Sequence, residues 1–289
     1  MSCLVCLQGL PASGKSTKAA ELVKEYGNAV RINRDSLRAM LHCDLPWSGQ
    51  KERITKNMAR AMTRHLLCDG KTGTVLIDDC NLHPSVVESW RSLAQECGAK
   101  FETLRLDTSL EECLRRDALR EKRVGRSVIV GMAMQFGLYP RPAKGVVLVD
   151  LDGTMADIGH RLHHVKQEPK DWQGFFRAIP DDTPREEVVN IVRGYWKRGY
   201  QIMFVSGRPE TYRGHTELWL SPVFPHYMAL FMRRWGDHRP DTTVKEEMLT
   251  TYFQDRSWVY RVIDDRKSVI EMWRSYGLNV VDVGDGTDF

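Results

Sequence analysis

The stretch Val146-Val147-Leu148-Val149-Asp150-Leu151-Asp152-Gly153-Thr154 decides the fold of the second half of the chain. Its four leading apolar residues are typical of a strand that is buried in a parallel sheet. Two aspartates follow as soon as this strand ends. Ligand sites of α/β proteins form at the carboxyl ends of such strands, so the stretch predicts a buried strand that presents two carboxylates to a site.

The same stretch carries DxDGT, which resembles the first motif of the haloacid dehalogenase superfamily. This resemblance implies that Asp150 attacks phosphorus and becomes an aspartyl-phosphate. It also implies that Asp152 protonates the leaving alcohol and later activates water. Two carboxylates this close repel each other unless a cation lies between them, so Mg²⁺ is expected at Asp150 and Asp152.

Three further motifs follow in the order that this superfamily uses. A second predicted strand, Gln201 to Val205, ends in a hydroxyl that is suited to binding the transferring phosphoryl group. Lys245 can hold the nucleophile and the phosphate by charge. A third predicted strand, Val259 to Ile263, ends in paired acids that are suited to metal. The substrate-binding candidates are therefore Ser206, Gly207 and Arg208, and the further metal candidates are Asp264 and Asp265.

In the first half, Gly9-Leu10-Pro11-Ala12-Ser13-Gly14-Lys15-Ser16-Thr17 matches GxxxxGK[ST] between a predicted strand and a predicted helix. In this context the backbone N–H groups of the loop wrap phosphates. Lys15 supplies positive charge to the β and γ phosphates of ATP, and the Ser16 hydroxyl is a ligand for Mg²⁺. The predicted ATP-binding residues of this loop are Gly9, Ser13, Gly14, Lys15, Ser16 and Thr17.

A kinase also needs acceptor residues, and Asp35 follows the second predicted strand, Ala29 to Ile32. Its carboxylate can take the proton of an attacking hydroxyl. Arg38 lies one turn further, so both side chains can share one helix face. An equally simple interpretation is that Asp35 only caps a helix. The residues alone leave both interpretations open.

Two more features follow in the first half. Val75-Leu76-Ile77-Asp78-Asp79 is an apolar strand that ends in acids and resembles a Walker B segment, with Asn81 in the same loop. A helix at Leu110 to Arg120 is then rich in arginines, which in this position often form a lid over the phosphates of ATP. A solvated basic helix is the alternative. The lid candidates for ATP are Arg116 and Arg120.

The order GLPASGKST, INRDSLR, VLIDDCNLHP and LRRDALREKR resembles the 5′-kinase domain of bacteriophage polynucleotide kinase/3′-phosphatases, and the phosphatase motifs of that family follow in the second half. Members phosphorylate 5′-hydroxyl ends of DNA or RNA with ATP. The resemblance implies that Asp35 is the general base and that Lys15 and Arg120 contact the donor. It places Arg38 on the phosphate beside the attacked hydroxyl, and Asp79 near the metal and the acceptor.

The charge distribution along the chain is a weaker indication of function than the motifs. Residues 1–144 carry 23 Lys+Arg and 16 Asp+Glu, and residues 145–289 carry 19 and 22, so the first half is basic. A basic surface fits a polyanion, although ordinary scatter produces the same surplus of basic residues.

All seven cysteines lie between Cys3 and Cys113 without a repeated spacing, which favours reduced thiols. We therefore expect a cytoplasmic protein, in the host cytoplasm if it is viral, with no membrane partner and with self-association left open.

The segment 139–145 contains two prolines and is the predicted linker. Strands alternate with helices on both sides of it. This alternation predicts an α/β chain of two domains, each a parallel-sheet three-layer sandwich: a kinase domain over 1–142 and a phosphatase domain over 143–289. Asp157, His160, His163 and His164 lie in a stretch that we expect to form a small cap, with a zinc cluster as the alternative.

The resemblance of both motif sets implies an enzyme that phosphorylates 5′-hydroxyl ends and removes 3′-phosphates from DNA or RNA, with ATP and Mg²⁺. The main alternative is a small-molecule enzyme, in which a nucleoside or metabolite kinase is fused to a nucleotide phosphatase. A non-catalytic protein that binds nucleic-acid ends is a third possibility, against which the intact motifs argue.

Overall fold

The computed structural model describes residues 2–43, Leu45 and residues 47–284. The chain divides into two compact units, Met1–Gly125 and Arg126–Phe289. Each unit is built on its own parallel sheet, so the predicted α/β class is confirmed. Among the described residues, each helix is too short or too polar to cross a bilayer.

The first unit has a four-stranded parallel sheet in the order β2-β3-β1-β4. Residues of β1 alternate between two apolar clusters: Leu4 and Cys6 pack against α3 and α4, and Val5 and Leu7 pack against α1. The sheet therefore lies between two helical layers. The elements are β1 (Cys3–Gln8), α1 (Lys15–Tyr26), β2 (Ala29–Ile32), α2 (Arg34–His42), α3 (Gly49–Cys68), β3 (Thr74–Ile77), α4 (Pro84–Glu96), β4 (Lys100–Arg105) and α5 (Leu110–Ala118).

The second unit has a five-stranded parallel sheet in the order β11-β10-β5-β8-β9. Its central strand is β5, which is buried throughout, as the opening stretch predicts. The elements are α6 (Arg126–Gln135), β5 (Val146–Val149), β6 (Ala156–Asp157), α7 (His163–Lys166), α8 (Trp172–Arg177), β7 (Thr183–Pro184), α9 (Glu186–Lys197), β8 (Gln201–Pro209), α10 (Arg213–Val223), β9 (Ala229–Arg233), α11 (Asp241–Tyr252), β10 (Val259–Asp264), α12 (Lys267–Ser275) and β11 (Val280–Asp282).

Helix α6 precedes the proline-rich segment, so the predicted linker would place it in the first domain. In the structure it belongs to the second unit, which begins at Arg126. The Ser127 hydroxyl accepts a hydrogen bond from the backbone N–H of Leu230 (3.0 Å). Gly131 lies so close to the rings of Phe231 and Tyr252 that a Cβ there would be 3.3 and 3.2 Å from them. Helix α6 thus packs on the sheet of the second unit, whereas the domain boundary after residue 142 stays a prediction.

Candidate active sites

The loop between β1 and α1 has the geometry of a phosphate cradle. Gly14 adopts φ 98°, which favours glycine, and precedes the first residue of α1. Lys15 is buried, and its ammonium donates hydrogen bonds to the carbonyls of Gly9 (3.0 Å) and Leu10 (2.6 Å). Its charge is therefore fixed inside the loop. Ser16 and Thr17 are exposed in the first turn of α1, where the helix dipole favours an anion.

The capping interpretation of Asp35 is wrong. Asn33 is the residue that caps α2, because its side-chain oxygen accepts a hydrogen bond from the backbone N–H of Ser36 (2.9 Å). Asp35 lies in the first turn of α2 with 86% of its side chain exposed, and it pairs with Arg38 (2.6 Å). Arg38 also pairs with Glu52 of α3 (2.7 Å). Asp35 is therefore available to a substrate, and its role as a base stays a prediction.

The acids after β3 are held by protein groups. Asp79 accepts hydrogen bonds from the backbone N–H of Arg34 (3.1 Å) and from its Nε (2.6 Å). Burial raises the pKa of Asp79, against the opposing charge of Arg34. Asn81 is buried with φ 43°, and its amide donates to the carbonyl of Leu7 (2.8 Å). Asn81 thus ties the loop to β1, and the substrate-binding roles of Asp79 and Asn81 stay predictions.

Of the two lid candidates, Arg116 is the one that contacts the phosphate loop in this structure. Its Nη1 donates to the carbonyl of Ser13 at 3.5 Å, and Glu112 of the same helix holds its Nε (2.6 Å). Arg120 lies two residues beyond the end of α5 and is exposed. The spacing of these arginines along the sequence did not distinguish the two positions.

In the second unit, the carboxyl ends of the adjacent strands β5 and β10 bring three acids together. Asp150, Asp264 and Asp265 each offer one carboxylate oxygen, and these oxygens lie within 4.8 Å of one another. Hard oxygen ligands in such a group fit Mg²⁺. Thr154, which ends the DxDGT motif, donates to Asp265 at 2.7 Å. Gly153 is required here, because a Cβ would be 2.1 Å from Asp265 Oδ2.

Lys245 contacts two members of this group and also Asp241. Its ammonium is 2.8 Å from Asp150 Oδ1, 3.0 Å from Asp264 Oδ2 and 3.3 Å from Asp241 Oδ2. Although burial opposes it, the charges of Asp150 and Asp241 raise the pKa of Lys245, which keeps the ammonium protonated. The predicted pairing of Lys245 with Asp150 is thus present in the geometry, and the catalytic roles of both residues stay predictions.

Asp150 is fully enclosed, and burial raises the pKa of its carboxyl well above the usual range. Lys245 opposes this shift, and the neighbouring carboxylates of Asp264 and Asp265 add to it. A divalent cation among these three carboxylates would favour their ionised forms. Lys245 supplies one positive charge to these carboxylates, and a divalent cation would supply the rest.

Asp152 does not belong to the group of three acids, although the sequence also suggests it as a metal ligand. Its Oδ1 accepts hydrogen bonds from Arg161 Nη2 (2.6 Å) and from Arg208 Nε (2.8 Å) and Nη2 (2.5 Å). Although burial opposes it, the charges of Arg208 and Arg161 lower the pKa of Asp152. Asp152 is therefore stabilised as a carboxylate by two arginines.

Asp182 completes this network from the cap segment, residues 157–182, which we expect to form a small cap. Its side chain is fully buried and accepts from Arg161 Nε (2.6 Å) and Arg208 Nη2 (2.7 Å). The Nε2–H of His160 donates to the same carboxylate at 3.0 Å. Among the described residues, the buried Arg208 Nη1 has no protein partner. Arg208 is thus mainly bound to carboxylates, and its role in substrate binding stays a prediction.

The second motif is positioned by β8, which extends to Pro209. Ser206 is buried, and its hydroxyl accepts a hydrogen bond from the backbone N–H of Arg208 (3.2 Å). A Cβ at Gly207 would be 2.2 Å from Asp241 Oδ1, so only glycine leaves room for Asp241 beside Lys245. The roles of Ser206 and Gly207 in substrate binding stay predictions.

The zinc alternative for the cap is not supported within the described ranges, where the three acids at Asp150 form the group with metal-ligand spacing. The three histidines have separate partners: His160 contacts Asp182, His163 contacts the carbonyl of His160 (3.0 Å), and His164 contacts Asp171 (3.0 Å). This stretch contains the end of β6, a short 3₁₀ turn and α7, and β6 pairs with β7.

Sequence reasoning missed four residues of the phosphatase site: Thr154, Arg161, Asp182 and Asp241. Thr154 is part of the quoted motif, and Asp241 precedes Lys245 by one helical turn, so local spacing could have found both. Arg161 and Asp182 lie in the cap segment and meet Asp152 only in three dimensions. The separation of 21 residues between Arg161 and Asp182 matches no helical or strand period, so the sequence does not indicate that these side chains meet.

The first unit has a phosphate loop typical of P-loop phosphotransferases, and the second has the acids and the lysine typical of phosphohydrolases of the haloacid dehalogenase type. Residues 144–289 match the family model of the polynucleotide kinase PNKP phosphatase domain, and residues 4–138 match an AAA domain model. The first match covers half of the chain, so the chain belongs to the PNKP phosphatase family. The resemblance drawn from the motifs is confirmed.

A protein of Autographa californica nuclear polyhedrosis virus, provisionally named a bifunctional polynucleotide kinase/RNA ligase, is 27% identical over 96% of this chain. This chain spans 42% of that relative's length. Two solved structures, of a Pnkp1/Rnl/Hen1 RNA repair complex and a Pnkp1/Rnl/Hen1 complex, are 25% and 27% identical. They cover 98% and 100% of this chain, and 97% and 98% of theirs, with TM-scores of 0.43. Because these TM-scores are below 0.5, the assignment of the chain to a family rests on the family model and not on these structures.

Proposed function

We propose that this chain heals nucleic-acid ends, by transferring the γ-phosphate of ATP to a 5′-hydroxyl and by removing the phosphate from a 3′ end. The observation that carries the proposal is the contact of Asp150 with Lys245 beside Asp264, in a region that belongs to the PNKP phosphatase family. The phosphate loop around Lys15 supports the kinase half. Together the two reactions convert ends that a ligase cannot seal into ends that it can.

In the kinase reaction, Asp35 accepts the proton of the 5′-hydroxyl as its oxygen bonds to the γ-phosphorus. The bond from that phosphorus to the β,γ-bridging oxygen breaks, and ADP leaves. Lys15, Arg116 and Arg120 neutralise the charge that develops on the phosphates. Because Arg38 pairs with Asp35 in this structure, it must turn from Asp35 to hold an acceptor phosphate, and this movement also frees the base.

In the phosphatase reaction, Asp150 attacks the 3′-phosphate and forms an aspartyl-phosphate, while the sugar oxygen leaves with a proton from Asp152. Asp152 then takes a proton from the water that hydrolyses this intermediate. Lys245 holds Asp150 for the attack, and Ser206 and Arg208 bind phosphoryl oxygens. Because two arginines stabilise the Asp152 carboxylate, this site is arranged most directly for the second step, in which Asp152 acts as a base.

We propose ATP as the phosphate donor and Mg²⁺ as the metal of both sites, at Ser16 in the first unit and at Asp150, Asp264 and Asp265 in the second. Bound at the three acids, the ion would neutralise charge on the phosphoryl group. The proposed setting is DNA or RNA repair in the cytoplasm of an infected host cell, and the viral origin of one relative supports it.

The acceptor distinguishes this proposal from the small-molecule alternative. If Arg38 holds a phosphate beside the attacked hydroxyl, an oligonucleotide or a nucleoside 3′-monophosphate should accept label from γ-labelled ATP far better than a bare nucleoside. Arg38→Ala should remove most of this preference, and Arg53→Ala, an exposed arginine of α3, is the matched control. Equal use of the bare nucleoside by the unsubstituted protein would favour the small-molecule enzyme.

A further inference from the structure

The loop that follows β9 is not used by the chemistry described above. It runs Arg234-Trp235-Gly236-Asp237-His238-Arg239 and lines an open depression of about 560 Å³. Strand β9 pairs in parallel with β8, and Ser206 is in register with Met232. The loop therefore leaves the sheet at the carboxyl ends of the strands, the same end at which Ser206 and Arg208 lie.

Arg233 joins this loop to the phosphatase site. Its Nε donates to the carbonyl of Gly207 (2.8 Å), its Nη1 donates to the carbonyl of Arg239 (2.5 Å), and its Nη2 lies 3.3 Å from Asp241. Asp241 in turn contacts Lys245, which contacts Asp150. One arginine thus fixes both ends of the loop relative to the nucleophile.

The loop holds its shape without Trp235. Asp237 accepts hydrogen bonds from the backbone N–H of Arg239 (3.0 Å) and from its Nε (2.9 Å). Glu247 of α11 pairs with Arg234 at 3.1 Å and also with Arg239. Trp235 is 69% exposed, and among the described residues no aromatic ring stacks on it. An indole with so little packing contributes little to the fold, which leaves it available to a ligand.

We propose that Trp235 is a stacking platform for a nucleobase of the strand whose 3′-phosphate lies at Asp150, with the exposed side chains of Arg234 and His238 beside the phosphodiester backbone. The proposal rests on the proposed phosphatase function. Base stacking on an aromatic side chain tolerates any base and is worth roughly 1–3 kcal/mol. The platform would therefore favour polynucleotide ends over small phosphate esters without reading sequence.

The test compares Trp235→Ala and Trp235→Phe with the unsubstituted protein. We expect Trp235→Ala to lower the ratio of kcat/KM on a 3′-phosphorylated oligonucleotide to kcat/KM on an aryl phosphate by about 5- to 150-fold. Trp235→Phe should retain most of this ratio, because a phenyl ring also stacks. Leu218→Ala, which alters another exposed apolar side chain of the same unit, is the control and should leave the ratio unchanged.

A substrate change isolates the stacking contact. On an oligonucleotide whose last two nucleotides lack bases, Trp235→Ala should cause no further loss, since the ring has no partner there. An equal loss with and without the bases would overturn the proposal, and so would an unchanged ratio on the normal oligonucleotide. If the unsubstituted protein cannot remove a 3′-phosphate from an oligonucleotide, the proposed function itself fails, which is a distinct outcome.

Discussion

Arg208 binds a single oxygen of Asp152 with two donors: its Nε lies 2.8 Å and its Nη2 2.5 Å from Asp152 Oδ1. Arg161 adds a third donor at 2.6 Å, and Asp182 accepts hydrogen bonds from both arginines. The proposed acid and base of the phosphatase is thus positioned by a buried network of two cations and two anions. This network links the motif strands to the cap segment.

Replacing Asp182 tests whether this network positions Asp152. Asp182→Asn keeps the shape of the side chain but removes the charge between the arginines, which should release Asp152 from its present geometry. We expect phosphatase kcat to fall about 10- to 100-fold, as is usual for residues that orient catalytic groups. Kinase turnover should be unchanged.

The matched control is Asp181→Asn, which alters the exposed neighbouring acid. Thermal unfolding followed by circular dichroism would show whether a loss of activity is only a loss of folded protein, because removing one partner of a buried ion pair is costly. Full phosphatase activity in Asp182→Asn would show that Asp152 needs no such support.

Asp152→Asn separates the two chemical steps. The variant keeps the Asp150 nucleophile and loses the proton donor and base, so attack on a 3′-phosphate, whose sugar oxygen needs a proton, should nearly stop. An aryl phosphate releases a stable phenolate without that proton, and the aspartyl-phosphate should then accumulate. Rapid mixing should show a burst of about one phenolate per active site, followed by slow turnover.

Asp150→Asn is the control for this experiment, because it lacks the nucleophile and should give neither a burst nor turnover. Equal steady losses on both substrates in Asp152→Asn, with no burst, would mean that the roles of the two aspartates are assigned wrongly.

The sequence was sufficient where a site residue belongs to a motif at the end of a strand. Asp150 follows β5 and Asp264 ends β10, and parallel strands bring such residues together whatever the loops between them do. Lys245 was found for the same reason, because its motif follows in a fixed order. For these residues, local pattern and topology together determine the position.

The sequence was not sufficient where a contact depends on tertiary packing. Arg161 and Asp182 meet across the cap, 21 residues apart, with no periodic pattern to connect them. Helix α6 was missed because it is apolar on most sides, with Ile129, Val130 and Ala133 buried, so its sequence shows no amphipathic period. Asn33, and not Asp35, caps α2. Both residue types are common at helix N-caps, so the sequence does not show which of the two positions begins the helix.

The three-acid group predicts a metal requirement. Asp265→Asn removes one charge from the group, so the Mg²⁺ concentration for half-maximal phosphatase activity should rise about tenfold or more. Glu271→Gln, an exposed acid on α12, should leave it unchanged. Titration of activity with Mg²⁺ after dialysis against a chelator measures this directly, and an unaltered midpoint in Asp265→Asn would remove this residue from the metal site.

The position of α6 makes a prediction about fragments. The proposed phosphatase domain, 143–289, should fold and be active, but it lacks the helix that buries Ile129, Val130 and Met134. Each buried aliphatic side chain contributes roughly 1.5–3 kcal/mol. Fragment 126–289 should therefore melt at least about 5 °C above fragment 143–289. Equal melting temperatures would show that α6 adds nothing to this unit, and an inactive 126–289 would contradict the domain division.

The central claim is that one chain carries out both end-healing reactions at two separate sites. The most direct measurement uses an oligonucleotide with a 5′-hydroxyl and a 3′-phosphate, together with ATP whose γ-phosphate carries ¹⁸O, and follows the product by mass spectrometry. The unsubstituted protein should exchange one phosphate for another, so that the mass changes only by the heavy oxygens. Asp35→Ala should give a product that has lost one phosphate, and Asp150→Asn a product that has gained one. A protein that alters neither end, or single variants that each lose both reactions, would contradict the account.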